Sequence, residues 1–136
     1  MKLLALVAGV SAVAMMTWGL QPVKAQSNAA SMEYYKTKVV PIFQANCYSC
    51  HGGVNHKGKL TIDTKAGMFK GGHTGAVIVP GDPANSLLVK LIRHQGPPDD
   101  PMPMPKRKPK LSDADIAVVE QWVKAGAIMP PDVPKP

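Results

Sequence analysis

Cysteine is nearly absent: the 136 residues contain two, Cys47 and Cys50, which excludes a disulfide framework and leaves a zinc site without a second cysteine pair. Aromatic residues make up only 5% of the chain, against 14 prolines, so a small domain built from it has a thin core unless something else fills it. Acidic residues are also few, 9 against 16 lysines and arginines, for a net charge of +7. That balance suits an acidic partner or surface. The chain has no basic run interleaved with aromatics, which argues against single-stranded nucleic acid. No internal repeat is visible. Nor does anything resemble a catalytic acid or base: Asp63, Asp82 and the carboxylates of the last helix are explained by turns, caps or solvent.

One long apolar run is present, from Leu3 to Leu20 behind Lys2, followed by polar residues and Val23-Lys24-Ala25-Gln26. This reads as a secretory signal peptide over 1–25, with cleavage after Ala25 leaving 111 residues. A retained membrane anchor is the alternative, disfavoured by the interruptions at Ser11, Thr17 and Gly19. Loss of Lys2 and Lys24 lowers the net charge from +7 to +5. The remaining length fits one domain, and the leader implies export to the periplasm or otherwise beyond the cytoplasmic membrane, where thiols are oxidised.

Within that context the stretch Cys47-Tyr48-Ser49-Cys50-His51 reads as the attachment motif of a c-type haem. Two thiols at this spacing can form thioethers with the porphyrin, and the adjacent His51 is then the proximal iron ligand. One covalently attached haem c per chain would also fill the thin core. A bare disulfide beside an idle histidine is the bland alternative. A thioredoxin-like site needs a strand ahead of the first cysteine, and a helix is expected there.

Residues 26–35 read as a flexible N-terminus, although Ser31 is placed to cap a helix with Glu33 in its first turn. Val39, Ile42 and Phe43 give that helix an apolar stripe running to about Ala45, and Pro41 is expected to break or restart it near Val40. Leu60, Thr61 and Ile62 allow at most a short strand. Thr64 to Phe69 suggests one or two helical turns ending at Gly71-Gly72. Ala76 to Val79 is an extended apolar run closed by Pro80-Gly81. Asp82 and Pro83 read as the N-cap and first residue of a helix whose apolar face is Leu87, Leu88, Leu91 and Ile92. Gly96 to Lys110 is a proline-rich loop. Ser112 with Asp115 opens a last helix carrying Ile116, Val119, Trp122 and Val123 and stopping at Gly126. Residues 129–136 read as a C-terminal tail, frayed from about residue 130.

A haem-ligating imidazole normally gives its second nitrogen a hydrogen-bond partner, for which a carbonyl near Val79 or Pro80 is the candidate. For the sixth iron position, Met102 and Met104 stand in a loop braced by prolines, where a methionine has little core to fill. His56, His73 and His94 compete for it, though each lies in polar or glycine-rich sequence that favours solvent exposure. Lys106, Arg107, Lys108 and Lys110 follow the methionines and form a candidate docking patch for an acidic redox partner; a solvated charge run is the alternative.

Together the stretches 39–52 (Val-Val-Pro-Ile-Phe-Gln-Ala-Asn-Cys-Tyr-Ser-Cys-His-Gly), 75–83 with Ser86-Leu87-Leu88, Met104-Pro105, Lys110-Leu111-Ser112-Asp113 and 122–127 resemble a class I cytochrome c of the planctomycete type, over residues 36–128. The resemblance implies an all-α fold of about three to five short helices around one covalently bound haem, with long loops. It implies that the first and last helices cross near the haem, with Phe43 and Trp122 in contact and shielding one edge. It also implies Met104 as distal ligand, with Met102 as the alternative. The function implied is one-electron transfer between redox proteins rather than catalysis. A haem-based small-ligand sensor or peroxidase-like enzyme, with an open or weakly held sixth position, is the rival reading, and a module whose haem is chiefly structural is a third.

Overall fold

The computed structural model describes residues 30–96 and 109–133. The leader, Met102, Met104, Lys106, Arg107 and Lys108 lie outside the described residues.

Among the described residues the fold is all-α, as expected: five helices and no strand, only an isolated bridge between Gly72 and Gly75. Helix α1 spans residues 32–46 in three pieces: Met32–Tyr34, a π-helical turn at Tyr35–Val39, and Val40–Asn46. Ser31 caps it, its hydroxyl accepting from the Tyr34 amide at 3.0 Å. The helix therefore begins inside the segment set aside as a flexible N-terminus, and Tyr35 is already buried. Pro41 does not break α1. Proline has no amide hydrogen and its ring crowds the carbonyl four residues back. The chain meets this by widening the turn just ahead, so that the Val40 amide reaches back to the Tyr35 carbonyl.

Helix α2 is the single turn Tyr48–His51, and α3 is Lys65–Lys70, capped by Thr64. Helix α4 is Leu87–Ile92 and α5 is Asp113–Lys124. The start of α4 corrects the expectation at Asp82. Its carboxylate does cap, accepting from the Asn85 amide at 3.1 Å, but what it caps is an isolated turn, and the helix begins four residues later behind Ser86. The Ser86 hydroxyl is fully buried and accepts from the Val79 amide at 2.9 Å while donating to the Asp82 carbonyl at 2.8 Å, which ties the 77–82 run to the root of α4.

Two glycines have no substitute where they stand. A Cβ on Gly71 would lie 2.0 Å from the Gly75 carbonyl oxygen. Gly126 takes φ +102° to end α5, with its amide on the Val123 carbonyl and that of Ala127 on the Trp122 carbonyl, a Schellman closure.

The core forms where the expected stripes meet. Val39, Ile42 and Phe43 of α1 pack with Ile116, Val119, Trp122 and Val123 of α5, and Leu88, Val89 and Ile92 of α4 complete it. Trp122 is the largest buried side chain. Phe43 meets it edge-on, centroids 5.9 Å apart at 78°, so the expected aromatic contact between the first and last helices is present. Tyr35 adds a second face at 5.4 Å, and the indole N–H donates to the Ile128 carbonyl at 2.9 Å.

The tail is not frayed where it is described. Met129 is buried in the core, and both carboxylate oxygens of Asp132 accept from the first amides of α3, those of Lys65 and, at 2.8 Å, Ala66. Asp132→Ala should leave these amides without their acceptor and lower stability by about 1 kcal/mol, a typical value for a lost cap. Chemical denaturation would measure it, and Asp132→Asn, which keeps one acceptor oxygen, should recover part of the loss.

Candidate haem-binding site

At Cys47 the backbone leaves helical geometry (φ −124°, ψ −39°), which separates α1 from α2 without detaching them, since the Cys47 amide still donates to the Phe43 carbonyl at 2.8 Å. The Cys47 carbonyl in turn accepts from the amides of Cys50, at 3.0 Å, and His51, at 2.9 Å. This closed turn places Cys47, Cys50 and His51 at the spacing that shares one side of a helix. The two cysteines are not joined as a disulfide, and both are half-buried.

Neighbouring bonds fix the turn from both ends. The His51 carbonyl accepts from the Ile62 amide at 2.8 Å, which draws the extended 60–62 segment alongside. Leu60 and Ile62 are buried there, in extended backbone but without a strand partner. Asn55 donates its side-chain amide to the Ser49 carbonyl at 3.1 Å, and the Asp63 carboxylate accepts from the Gly53 amide at 2.7 Å. Tyr48, between the two cysteines, lies beside the buried Tyr35, close enough for the two hydroxyls to influence each other. Burial first, then the Tyr48 contact, push Tyr35 far above the usual phenol range. Sequence reasoning missed Tyr35. Its one local signal was the four-residue step to Val39, which continues the α1 stripe one turn back.

His51 is half-buried, and its Nδ1 is enclosed without a hydrogen-bond partner among the described residues. Desolvation lowers its pKa; the backbone at Leu60 and at Lys57 beside the ring favours the proton, and the charge of Lys57 opposes it. The imidazole is therefore held neutral at pH 7, the form that ligates metals. The backbone of residues 57 and 60 lies beside the ring. The Val79 carbonyl accepts from the Asp82 amide at 3.0 Å, and Pro80 is exposed.

Of the other candidates, His56, His73 and His94 are all exposed, as their sequence surroundings suggested. Lys110 is exposed and paired with Asp113 at 2.7 Å, at the foot of α5. No group of three or more histidine, cysteine or acidic side chains able to hold a free metal ion occurs among the described residues. No helix among them is long and apolar enough to cross a membrane.

Residues 47–107 match the family model of planctomycete cytochrome C, a match that opens on Cys47 itself. Over that stretch, a little under half of the chain, the protein is similar to a planctomycete-type cytochrome c domain. No curated protein and no solved structure shows significant similarity to it. A cytochrome c domain implies haem c, and the residues present fit that group: two thiols and an imidazole on one turn, with a buried ring nitrogen that the described residues leave unsatisfied. Helices α1 and α5 carry most of the core outside the matched stretch, and their Phe43–Trp122 contact holds the motif's approach helix in place.

Proposed function

We propose that this protein is a mono-haem c-type cytochrome that carries single electrons between redox proteins, exported to the periplasm or otherwise beyond the cytoplasmic membrane. The observation that carries the reading is the closed Cys47–His51 turn, two thiols and an imidazole together, where the match to the cytochrome C family model begins.

In this reading Cys47 and Cys50 hold the haem by thioethers, His51 is the proximal ligand, and Met104, or in its place Met102, is the distal one. When bound, the haem supplies an iron that accepts or gives up one electron. The chain's own residues do the rest. The α1–α5 contact through Phe43, Tyr35 and Trp122 keeps water from the root of the motif, and the bonds around α2 hold the backbone of His51 in place, so little of the chain has to reorganise as charge changes. Lys106, Arg107, Lys108 and Lys110 serve an acidic docking face of the partner. The cleavable leader supports export.

The test is spectroscopic. The ferric holoprotein should show a sulfur–iron charge-transfer band, and the ferrous form should not bind carbon monoxide. Met104→Ala should abolish the band and open the iron to carbon monoxide, while Met102→Ala should leave both unchanged. A wild-type haem that is high-spin or readily takes up carbon monoxide would instead support the sensor or peroxidase-like reading.

A further inference from the structure

The segment just after the motif, residues 53–59, has features that the haem turn itself does not require. Every residue from Gly53 to Lys59 is exposed, and Val54 is the most exposed large apolar side chain described, at 94%. Loops of this kind are usually mobile, but this one is bonded at several points. The Gly53 amide donates to Asp63 at 2.7 Å, the His56 ring contacts the Gly53 carbonyl at 3.0 Å, the Lys59 amide donates to the His56 carbonyl at 2.9 Å, and the His73 amide donates to the Gly58 carbonyl at 2.6 Å. Lys59 is held at φ +57°, a left-handed conformation in which glycine or asparagine would be less strained. A strained lysine on a rigid, exposed loop points to a use for its side chain.

Charge completes the case. Lys57 and Lys59 form no ion pair among the described residues, where the two ion pairs are Arg93–Glu120 and Lys110–Asp113. The nearest acid across the loop, Asp63, directs its carboxylate at the Gly53 amide, and the loop stays net positive. The loop starts two residues after His51, and within it the Asn55 side-chain amide donates to the Ser49 carbonyl of the motif at 3.1 Å, so a partner seated here sits close to the haem ligand.

We infer that residues 53–59 form a docking surface for an acidic redox protein, with Val54 as the apolar contact and Lys57 and Lys59 as its charged flank. This rests on the electron-carrier reading and adds a contact separate in sequence from the 106–110 basic run. The rigid loop loses little conformational freedom on docking, and the lysines speed encounter with an acidic face.

The holoprotein on a carboxylate-terminated gold electrode tests this, the monolayer standing in for an acidic face. Wild type should give a reversible one-electron wave whose interfacial rate falls with added salt. Lys57→Glu with Lys59→Glu should lower that rate by about tenfold, the scale of local electrostatic steering. Lys57→Gln with Lys59→Gln should lower it less, and Val54→Asp should lower it as well. Lys36→Glu with Lys38→Glu makes the same charge change on the exposed side of α1 and should leave the rate within about twofold of wild type. Equal losses in the 57/59 and 36/38 pairs, or none in either, would overturn the docking surface while the wild-type wave upheld the carrier. Absence of a wild-type wave, with mediators present, would overturn both.

Discussion

Trp122→Ala is expected to destabilise the protein by about 3–5 kcal/mol, the range for truncating a large aromatic in a packed core. Small domains have only about 5–15 kcal/mol in total, so the variant should be folded at low temperature and melt far below wild type. The loss has three sources that the structure separates: the fully buried indole volume, the ring contacts to Tyr35 and Phe43, and the N–H bond to the Ile128 carbonyl. Trp122→Phe removes the third and keeps most of the others. Ile128 is partly exposed, so water can replace the lost donor, and the cost of that variant should be about 1–2 kcal/mol. Urea unfolding of both variants, followed by far-ultraviolet circular dichroism, measures the difference. Equal losses would mean that the hydrogen bond, not the packing, joins α5 to the segment beyond it.

Replacing Cys47 and Cys50 together by alanine is expected to abolish covalent haem retention altogether, so that no haem stain stays with the polypeptide on a denaturing gel. Either single substitution should leave one thioether, keep the stain and shift the absorption maximum of the reduced haem. The fold of the turn should survive in all three. Its closure runs through backbone atoms, with the Cys47 carbonyl accepting from the Cys50 and His51 amides, and alanine supports those bonds at least as well as cysteine does. His51→Ala in the presence of both cysteines separates attachment from ligation: the stain should remain while the low-spin spectrum is lost. Retention of haem by the double variant through denaturation would remove the thioether assignment.

The helices were legible because their signals are local. Ser31, Thr64 and Ser112 each cap the helix that follows, and the stripes 39/42/43 and 116/119/122/123 are the ones buried. The same local grammar misled at Asp82-Pro83, which has the chemistry of a helix start. The pull of the buried Ser86 hydroxyl on Val79 and Asp82 keeps the chain turning for four more residues, and that bond joins segments seven residues apart. What sequence could not supply was the neighbourhood of His51. Backbone beside its ring comes from the loop that returns directly after the motif, at residues 57 and 60, and no local pattern announces that return. Asp132 was unreadable for the same reason: its partners lie 66 and 67 residues away, and no local pattern distinguishes a carboxylate that caps a distant helix from one in solvent. The Cys47–His51 motif, by contrast, is wholly contained in five residues, and it is where the family match begins.

The widened turn at Tyr35–Val39 has a consequence for how α1 tolerates changes of length. A π turn holds one residue more than the α turn it replaces, so excising one of the exposed residues 36–38 would let α1 run as a regular helix without rotating Tyr35 away from Trp122 or Phe43 out of the core. Pro41 forbids this shortcut, because in the shortened helix its ring would again confront a carbonyl four residues back. Residue number in α1 and the proline are therefore coupled: a single-residue deletion is accommodated only together with Pro41→Ala, and each change alone leaves the approach to Cys47 either crowded or one residue too long.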